Sequence, residues 1–239
     1  MSTPLVSILI PFKNTANYLE DCLESILKQT FTSWEVLIVD DRSTDDSRII
    51  VQRYTDLDSR IHLLNNQGNG IIDALRTAYS HVKGTLITRM DSDDISYENR
   101  FKLQYEFLSD NKHIDIVGSN IDEFHKDFKV VDNMRIVPEN HDDISKRMKW
   151  INGMNHVTVM FRKKEIIDSG NYNSFNGFED YHLWIRMILN NKKFYNIQKS
   201  LVAVRIGNDM IGRRKGLSYF KTEWRFIRFL KEKNYISSI

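Results

Sequence analysis

The chain has 239 residues, 41% of them hydrophobic, which suits one sizeable globular domain or one domain with an appended lobe. Its 34 Lys and Arg against 32 Asp and Glu leave a formal net charge of +2, so no global field selects nucleic acid or an acidic partner. The single cysteine, Cys22, excludes an internal disulfide and fits a small core residue, and no run approaches the ~20 apolar residues of a membrane span. The N-terminus lacks the charged and apolar regions of a leader, so the expectation is a cytoplasmic chain, at most peripheral on the inner face of the membrane.

Val6 to Ile10 reads as a central strand closed by Pro11. Asn17 with Glu20 three positions on resembles a helix start, and Leu19, Cys22, Leu23, Ile26 and Leu27 share one helical face. Trp34 to Val39 is a second buried strand ending in Asp40 and Asp41, after which Ser43 or Thr44 would cap a helix through Ile49, Ile50 and Tyr54. Ile61 to Leu64 is a third strand; Gly68 and Gly70 break the chain before a helix through Ile72, Leu75 and Ala78, and Gly84 stops it. Strands alternating with helices over short links predict an α/β fold with a mostly parallel central sheet flanked by helices.

The fourth strand, Leu86 to Met90, ends in Asp91-Ser92-Asp93-Asp94. Like charges this close repel unless a cation or a basic ligand neutralises them, and oxygen ligands suit a divalent ion that keeps positions open for phosphate. Asp-x-Asp also arises by chance, and its bland reading is a solvated acidic turn. Ligands in such sheets sit beyond the carboxyl ends of the strands, where the stretch from Pro11 to Asn14, Asp40, Asp41 and the Asp91 to Asp94 cluster are all delivered.

Beyond Leu108 the alternation fades. Ile114 to Val117 and Val157 to Phe161 read as strands, Asp142 to Trp150 as a short helix, and Asp122 to Arg135 is mixed. Glu179 and Asp180 open a helix whose apolar positions spread widely enough to imply deep burial, although acids in a first turn also suit the helix dipole. The expected division is 1–105 for a first half, 106–206 for a second half of the same domain, and 207–239 for a C-terminal loop and amphipathic helix.

In this order the motifs resemble a family 2 glycosyltransferase of the GT-A fold, of the inverting bacterial polysaccharide type. The likeness covers about residues 4 to 206 and rests on Val6 to Asn14, Gln29-Thr30-Phe31, Val39 to Asp45, Asp91 to Asp94, and Phe178 to Arg186. It implies that Pro11, Phe12, Lys13, Asn14, Asp41 and Asp91 contact a nucleotide sugar, with UDP the expected nucleotide and Asp41 reaching the uracil. Asp93 and Asp94 would bind Mn²⁺ or Mg²⁺, Asp180 would be the catalytic base and Glu179 its neighbour. The implied acceptor is a glycan or lipid-linked glycan in cell-surface polysaccharide synthesis. The alternatives within the family are transfer to a polyprenyl phosphate and a catalytically inactive nucleotide-sugar-binding subunit. A nicotinamide-dependent oxidoreductase would need G-x-G-x-x-G where Pro11-Phe12-Lys13-Asn14 stands, and a nucleotidyltransferase would need a Gly- and Lys/Arg-rich loop there.

The sequence departs from the resemblance in two places. Lys13 stands where relatives commonly stack an aromatic residue on the base. Gly207 replaces a histidine that follows Arg205, leaving Arg213, Arg214, Lys215 or, as a weaker substitute, His156 to compensate. In the tail, Tyr219, Phe220, Trp224, Ile227 and Leu230 recur at helical spacing among Lys221, Arg225, Arg228, Lys231 and Lys233. This pattern fits a helix packed on the domain or in a homodimer, or a peripheral membrane contact.

Overall fold

The computed structural model describes residues 4–175, 177–207 and 217–236. Strands β1 (Val6–Phe12), β2 (Trp34–Asp40), β3 (Ile61–Asn65) and β4 (Leu86–Arg89) are linked by α1 (Ala16–Leu27), α2 (Ser47–Leu57) and α3 (Gly70–Ser80). They pair in parallel in the order β3-β2-β1-β4. Side chains alternate between the sheet faces: Leu9, Leu37 and Val39 pack with Leu75 and Ala78 of α3, whereas Ile8, Ile10, Val36 and Ile38 pack with Leu19, Leu23 and Ile26 of α1. Covered on both faces, these strands carry no polar alternation, which is why they read as plain apolar runs.

The second half adds β5 (Ile95–Ser96), α4 (Arg100–Asp110), β6 (Ile116–Phe124), β7 (Asn133–Arg135), α5 (His141–Arg147), β8 (Met160–Arg162) and α6 (Lys163–Asp168), then α7 (Glu179–Leu189), β9 (Phe194–Arg205) and α8 (Leu217–Glu232). β8 runs antiparallel to both β4 and β6, stitching the halves into one sheet, and β9 pairs in parallel with β6 through a register shift around Asn120. The parallel ladders are the long ones. Each antiparallel ladder holds two or three residue pairs, so the sheet is mostly parallel by extent.

Local differences from the sequence reading have physical causes. β1 continues through Pro11 to Phe12 because Pro11 points to the side of Leu9, where pairing with β4 has ended, so no ladder bond needs its missing N–H. Asn17 is inside α1, whose N-cap is Thr15; the free N–H groups of Thr15 and Ala16 are taken by Ser47 Oγ (2.8 Å) and Asp45 Oδ2 (3.1 Å) from the next loop. Asp46 stands at the N-cap position of α2 without a side-chain capping bond, and Ser43 and Thr44 turn instead to Asn14. The strand expected over Val157 to Phe161 begins as a 3₁₀ turn (His156–Thr158), because Arg100 and Gln104 take the carbonyls of Val157 (2.9 Å) and Thr158 (2.7 Å).

Candidate functional site

Sheet order reverses between β1 and β4, which opens a crevice at their carboxyl ends. On the β1 side, Asn14 adopts a left-handed backbone (φ 54°); its N–H donates to Ser43 Oγ (3.1 Å) and its Oδ1 accepts from Thr44 N (2.8 Å), which binds the first two strand-end loops together. Asp40 is spent on structure, accepting from Ser43 N and Arg48. Asp41 is buried, with Oδ1 accepting from Asn66 Nδ2 (2.6 Å) and both oxygens close to Gly70 N, while Lys13 Nζ stands 3.8 Å away and Arg42 beside it. Gly70 has φ +80°, so this backbone donor needs a residue free to take the left-handed conformation. Asp41 is thereby a rigid anion at the rim of the crevice, flanked by two exposed cations.

Below it, Asp91, Asp93 and Asp94 each bring a carboxylate oxygen within 4.8 Å of the others. Asp91 is gripped through both oxygens by the buried guanidinium of Arg89. Asp94 is 2% exposed; its Oδ1 accepts from Arg205 N (3.0 Å), and its Oδ2 is buried with no hydrogen-bond partner. Burial, then the charges of Asp91 and Asp93, push the Asp94 carboxyl well above the usual range. An all-oxygen set with a buried orphan oxygen fits a hard divalent cation, whose charge would relieve both strains. Arg205 closes the floor: its side chain bonds the carbonyls of Asp93 and Lys126, lies 3.6 Å from Asp21 and stacks on Tyr18 and Phe124. Cys22 is buried, its Sγ 3.5 Å from the Asp91 carbonyl, and burial pushes its thiol well up, so it serves as core.

A second acidic pair stands across Arg89. Glu179 and Asp180 begin α7, and each places an oxygen within 4.8 Å of the other and of a ring nitrogen of His156. Burial, then the charge of Asp180, raises the Glu179 carboxyl to about 7, and its Oε2 is buried without a partner. Asp180 is also raised by burial, but Asn152 Nδ2 donates to its Oδ2 (2.8 Å) and Arg89 pulls it back toward the ionised form. His156 is held neutral by burial and by Arg89, and its Nε2 pairs with the Tyr172 hydroxyl at 2.9 Å. An acidic floor whose oxygens fit a cation and a carboxyl pair raised by burial therefore share one buried guanidinium.

A model of the family described as "Glycosyl transferase family 2" matches residues 7–220. The chain belongs to that family. Among its relatives, the transferase is 29% identical over 238 residues to "Amylovoran biosynthesis glycosyltransferase AmsE" of Erwinia amylovora, covering 97% of this chain and 89% of that protein. It is 32% identical over 243 residues to "UDP-Gal:alpha-D-GlcNAc-diphosphoundecaprenol beta-1,3-galactosyltransferase" of Escherichia coli, covering 98% and 86%. In fold it is similar to S. aureus TarS 1–349 in complex with UDP-GlcNAc, with a TM-score of 0.73 at 18% identity over 93% of this chain and 65% of that one. It is also similar to a mannosyltransferase from Pyrobaculum calidifontis in complex with GDP-Man and Mn²⁺, with a TM-score of 0.67 at 16% identity over 93% and 69%. The transferase has the GT-A-type mixed α/β architecture of those structures.

The residues singled out in the transferase's sequence thus fall into two neighbouring groups, Pro11, Lys13, Asn14 and Asp41 at the rim with Asp91, Asp93 and Asp94 below, and Glu179 with Asp180 opposite; the Phe12 side chain instead packs into the core with Ile10 and Leu19. His156 joins the second group and not the acidic floor, and Arg213, Arg214 and Lys215 lie outside the described residues. At Gly207 (φ +110°) a Cβ would stand 3.6 Å from the His125 ring, whose Nδ1 pairs with Asp132 Oδ2 at 2.9 Å; an imidazole borne by another strand end occupies this neighbourhood. Arg89, Asn66, Asn152 and Tyr172 were missed. Arg89 carried a signal, being a charged residue at the end of an otherwise apolar strand; the amides carried none. The helix α8 packs Phe226 and Leu230 into the core against Phe175, Phe178 and Tyr181, and exposes Phe220 and Trp224. Among the described residues no helix is long and apolar enough to cross a membrane.

Proposed function

We propose that this transferase moves a sugar from a UDP-sugar to a hydroxyl of a glycan or lipid-linked glycan, with inversion and with help from a divalent cation, in bacterial polysaccharide synthesis. The observation that carries this reading is the pair of acidic groups on either side of Arg89: a floor with an orphan carboxylate oxygen for a cation, and a raised carboxylate pair for a proton. In the proposed division, residues 1–105 hold the donor, with Asp41 accepting from the uracil imide N–H, the loop from Pro11 to Asn14 bordering the nucleotide and Asp91 at the ribose. Residues 106–206 present the acceptor. Mn²⁺ or Mg²⁺ held by Asp93 and Asp94 would neutralise charge on the diphosphate.

In this reading Asp180 takes the proton of the acceptor hydroxyl while the hydroxyl oxygen attacks the anomeric carbon from the face opposite UDP. The bond from that carbon to the β-phosphate oxygen breaks, and its electron pair leaves on UDP. Asn152 fixes the Asp180 carboxylate for this transfer, and Arg89 offsets part of the upward shift that burial imposes on it. The names of two E. coli relatives, which place a hexose on a GlcNAc-diphosphoundecaprenol acceptor, support a lipid-linked acceptor here. The exposed Phe220 and Trp224 among the basic residues of α8 fit an anionic membrane surface where such acceptors reside.

The test is a panel of nucleotide sugars scored for cation-dependent UDP release and then for transfer to glycan and lipid-linked acceptors. Asp180→Asn is expected to cut turnover about 10²–10⁴-fold while leaving UDP and Mn²⁺ affinity nearly unchanged. NMR of the product should show the anomeric configuration opposite to the donor. Near-normal turnover in the folded variant would remove Asp180 as base, and a retained configuration would remove single displacement.

A further inference from the structure

An exposed aromatic residue lies two positions before Asn152, the residue that bonds Asp180. Trp150 is 81% exposed, more than any other large hydrophobic residue among those described. Two of the four tryptophans, Trp34 and Trp184, are buried, and Trp224 lies on the outer face of α8. Leaving an indole in water forgoes the burial that normally stabilises it, so such a position marks a contact surface.

The loop that carries Trp150 is fastened to the site at both ends. The Tyr181 hydroxyl donates to the Met148 carbonyl (2.9 Å), and Asn152 Nδ2 donates to Asp180 Oδ2 (2.8 Å). Within the loop, Trp150 N and Ile151 N both donate to the Arg147 carbonyl (3.0 Å each), and Asn152 Oδ1 accepts from Met154 N (3.1 Å). A loop tied to the first turn of α7 on either side of Trp150 is preorganised with respect to Asp180. Two residues of chain span at most about 7 Å, so the Trp150 backbone stays within that distance of Asn152.

We infer that Trp150 forms an acceptor subsite, a platform on which a pyranose ring of the acceptor glycan stacks while its hydroxyl reaches Asp180. This rests on the reading of Asp180 as the base. A hydroxyl can be deprotonated only within hydrogen-bond reach of the carboxylate, so the body of the acceptor must cross the rim next to it. A pyranose face is a patch of C–H bonds bordered by hydroxyls, and it complements the flat, electron-rich face of an indole that costs little side-chain entropy to hold. Asn152 then links the two functions, one residue orienting the base and bracing the platform.

The experiment uses the full chain with indole ¹⁵N-labelled tryptophan and follows the four side-chain signals by NMR, Trp150 being assigned by its loss in Trp150→Phe. Methyl glycosides of glucose, galactose, mannose and N-acetylglucosamine are added with UDP and Mn²⁺ present, and anionic vesicles are added separately. The expected result is that at least one glycoside moves the Trp150 signal and leaves Trp224 unmoved. In transfer assays Trp150→Ala should raise the acceptor KM about tenfold, which corresponds to ~1.4 kcal/mol, with kcat and donor-only UDP release within about twofold. Trp150→Phe should recover most of that loss. A Trp150 signal indifferent to every glycoside, or one moved by vesicles alone, overturns the subsite. Calorimetry with UDP separates the two readings: absent UDP binding refutes the proposed UDP-sugar donor, whereas normal UDP binding with a silent Trp150 refutes only the platform.

Discussion

Replacing Glu179 by glutamine should stabilise the protein, and the gain should depend on pH. Burial and the neighbouring Asp180 hold the Glu179 carboxyl at about 7 against an ordinary 4.5, and its Oε2 lacks a hydrogen-bond partner. A carboxyl whose folded-state pKa is raised is favoured in its protonated form, so between the two values the native state binds more protons than the unfolded chain. Its contribution is therefore fully present below about 4.5 and is lost as pH rises through about 7. The separation of about 2.5 at ~1.4 kcal/mol per tenfold amounts to about 3 kcal/mol of stability removed by pH 8. Glu179→Gln keeps the shape and cannot ionise, so the variant should match the native chain at pH 4.5 and exceed it by about 2–3 kcal/mol at pH 8. Urea unfolding of the donor- and cation-free protein at the two pH values measures this. A variant equally or less stable than the native chain at pH 8 would mean that Glu179 is solvated or paired in solution, and would refute the picture of a strained acid pair. Such relief of strain at an acidic site is the expected companion of lost activity.

Asp93→Asn should greatly weaken Mn²⁺-dependent UDP binding by calorimetry in a folded protein; unchanged affinity would leave Asp93 a plain turn residue. Arg89→Gln removes the cation that lowers both Glu179 and Asp180, so the acidic limb of the kcat/KM profile should move to higher pH, and a limb that stays in place refutes the shared guanidinium. The same change leaves Asp91 without its partner and should cost a few kcal/mol by denaturant titration, near the lower end of the ~3–5 kcal/mol of a broken buried pair because Asp91 is partly exposed. For α8, deleting the helix would uncover Tyr181 and Phe178, so the exchange Phe220→Ser with Trp224→Ser is the cleaner probe. Flotation with anionic liposomes should recover less of that variant than of the native chain; equal recovery removes the membrane contact.

Much of the first half was legible from residue order. The strands β1, β2 and β4 are buried on both faces, so their apolar runs and the turn residues between them announce a parallel sheet, and the carboxyl ends of such strands are where ligands go. Asp41, Asp91, Asp93, Asp94, Glu179 and Asp180 stood out for the same reason: charge at the edge of an apolar segment is costly unless it has a purpose. β6 resisted, because Ser119, Asn120, Asp122 and Glu123 are buried yet satisfied by Thr158, Val137, Tyr97, Ser200, Asn133 and Arg135, all outside the strand itself. Their polarity looks like a loop until the partners are in place.

The sequence by itself determined which residue types reach which strand end, since periodicity and burial are local matters of side-chain order. Only the tertiary structure decided what each acid faces. Asp91 became an ion-pair partner because Arg89 lies buried beneath it, Asp94 kept one orphan oxygen because Arg205 N takes the other, and Asp180 was braced by an amide from a loop 28 positions earlier. A carboxylate's pKa, its orientation and its free lone pairs depend on desolvation and on neighbours brought together by folding, and those distances are not written in any stretch of chain.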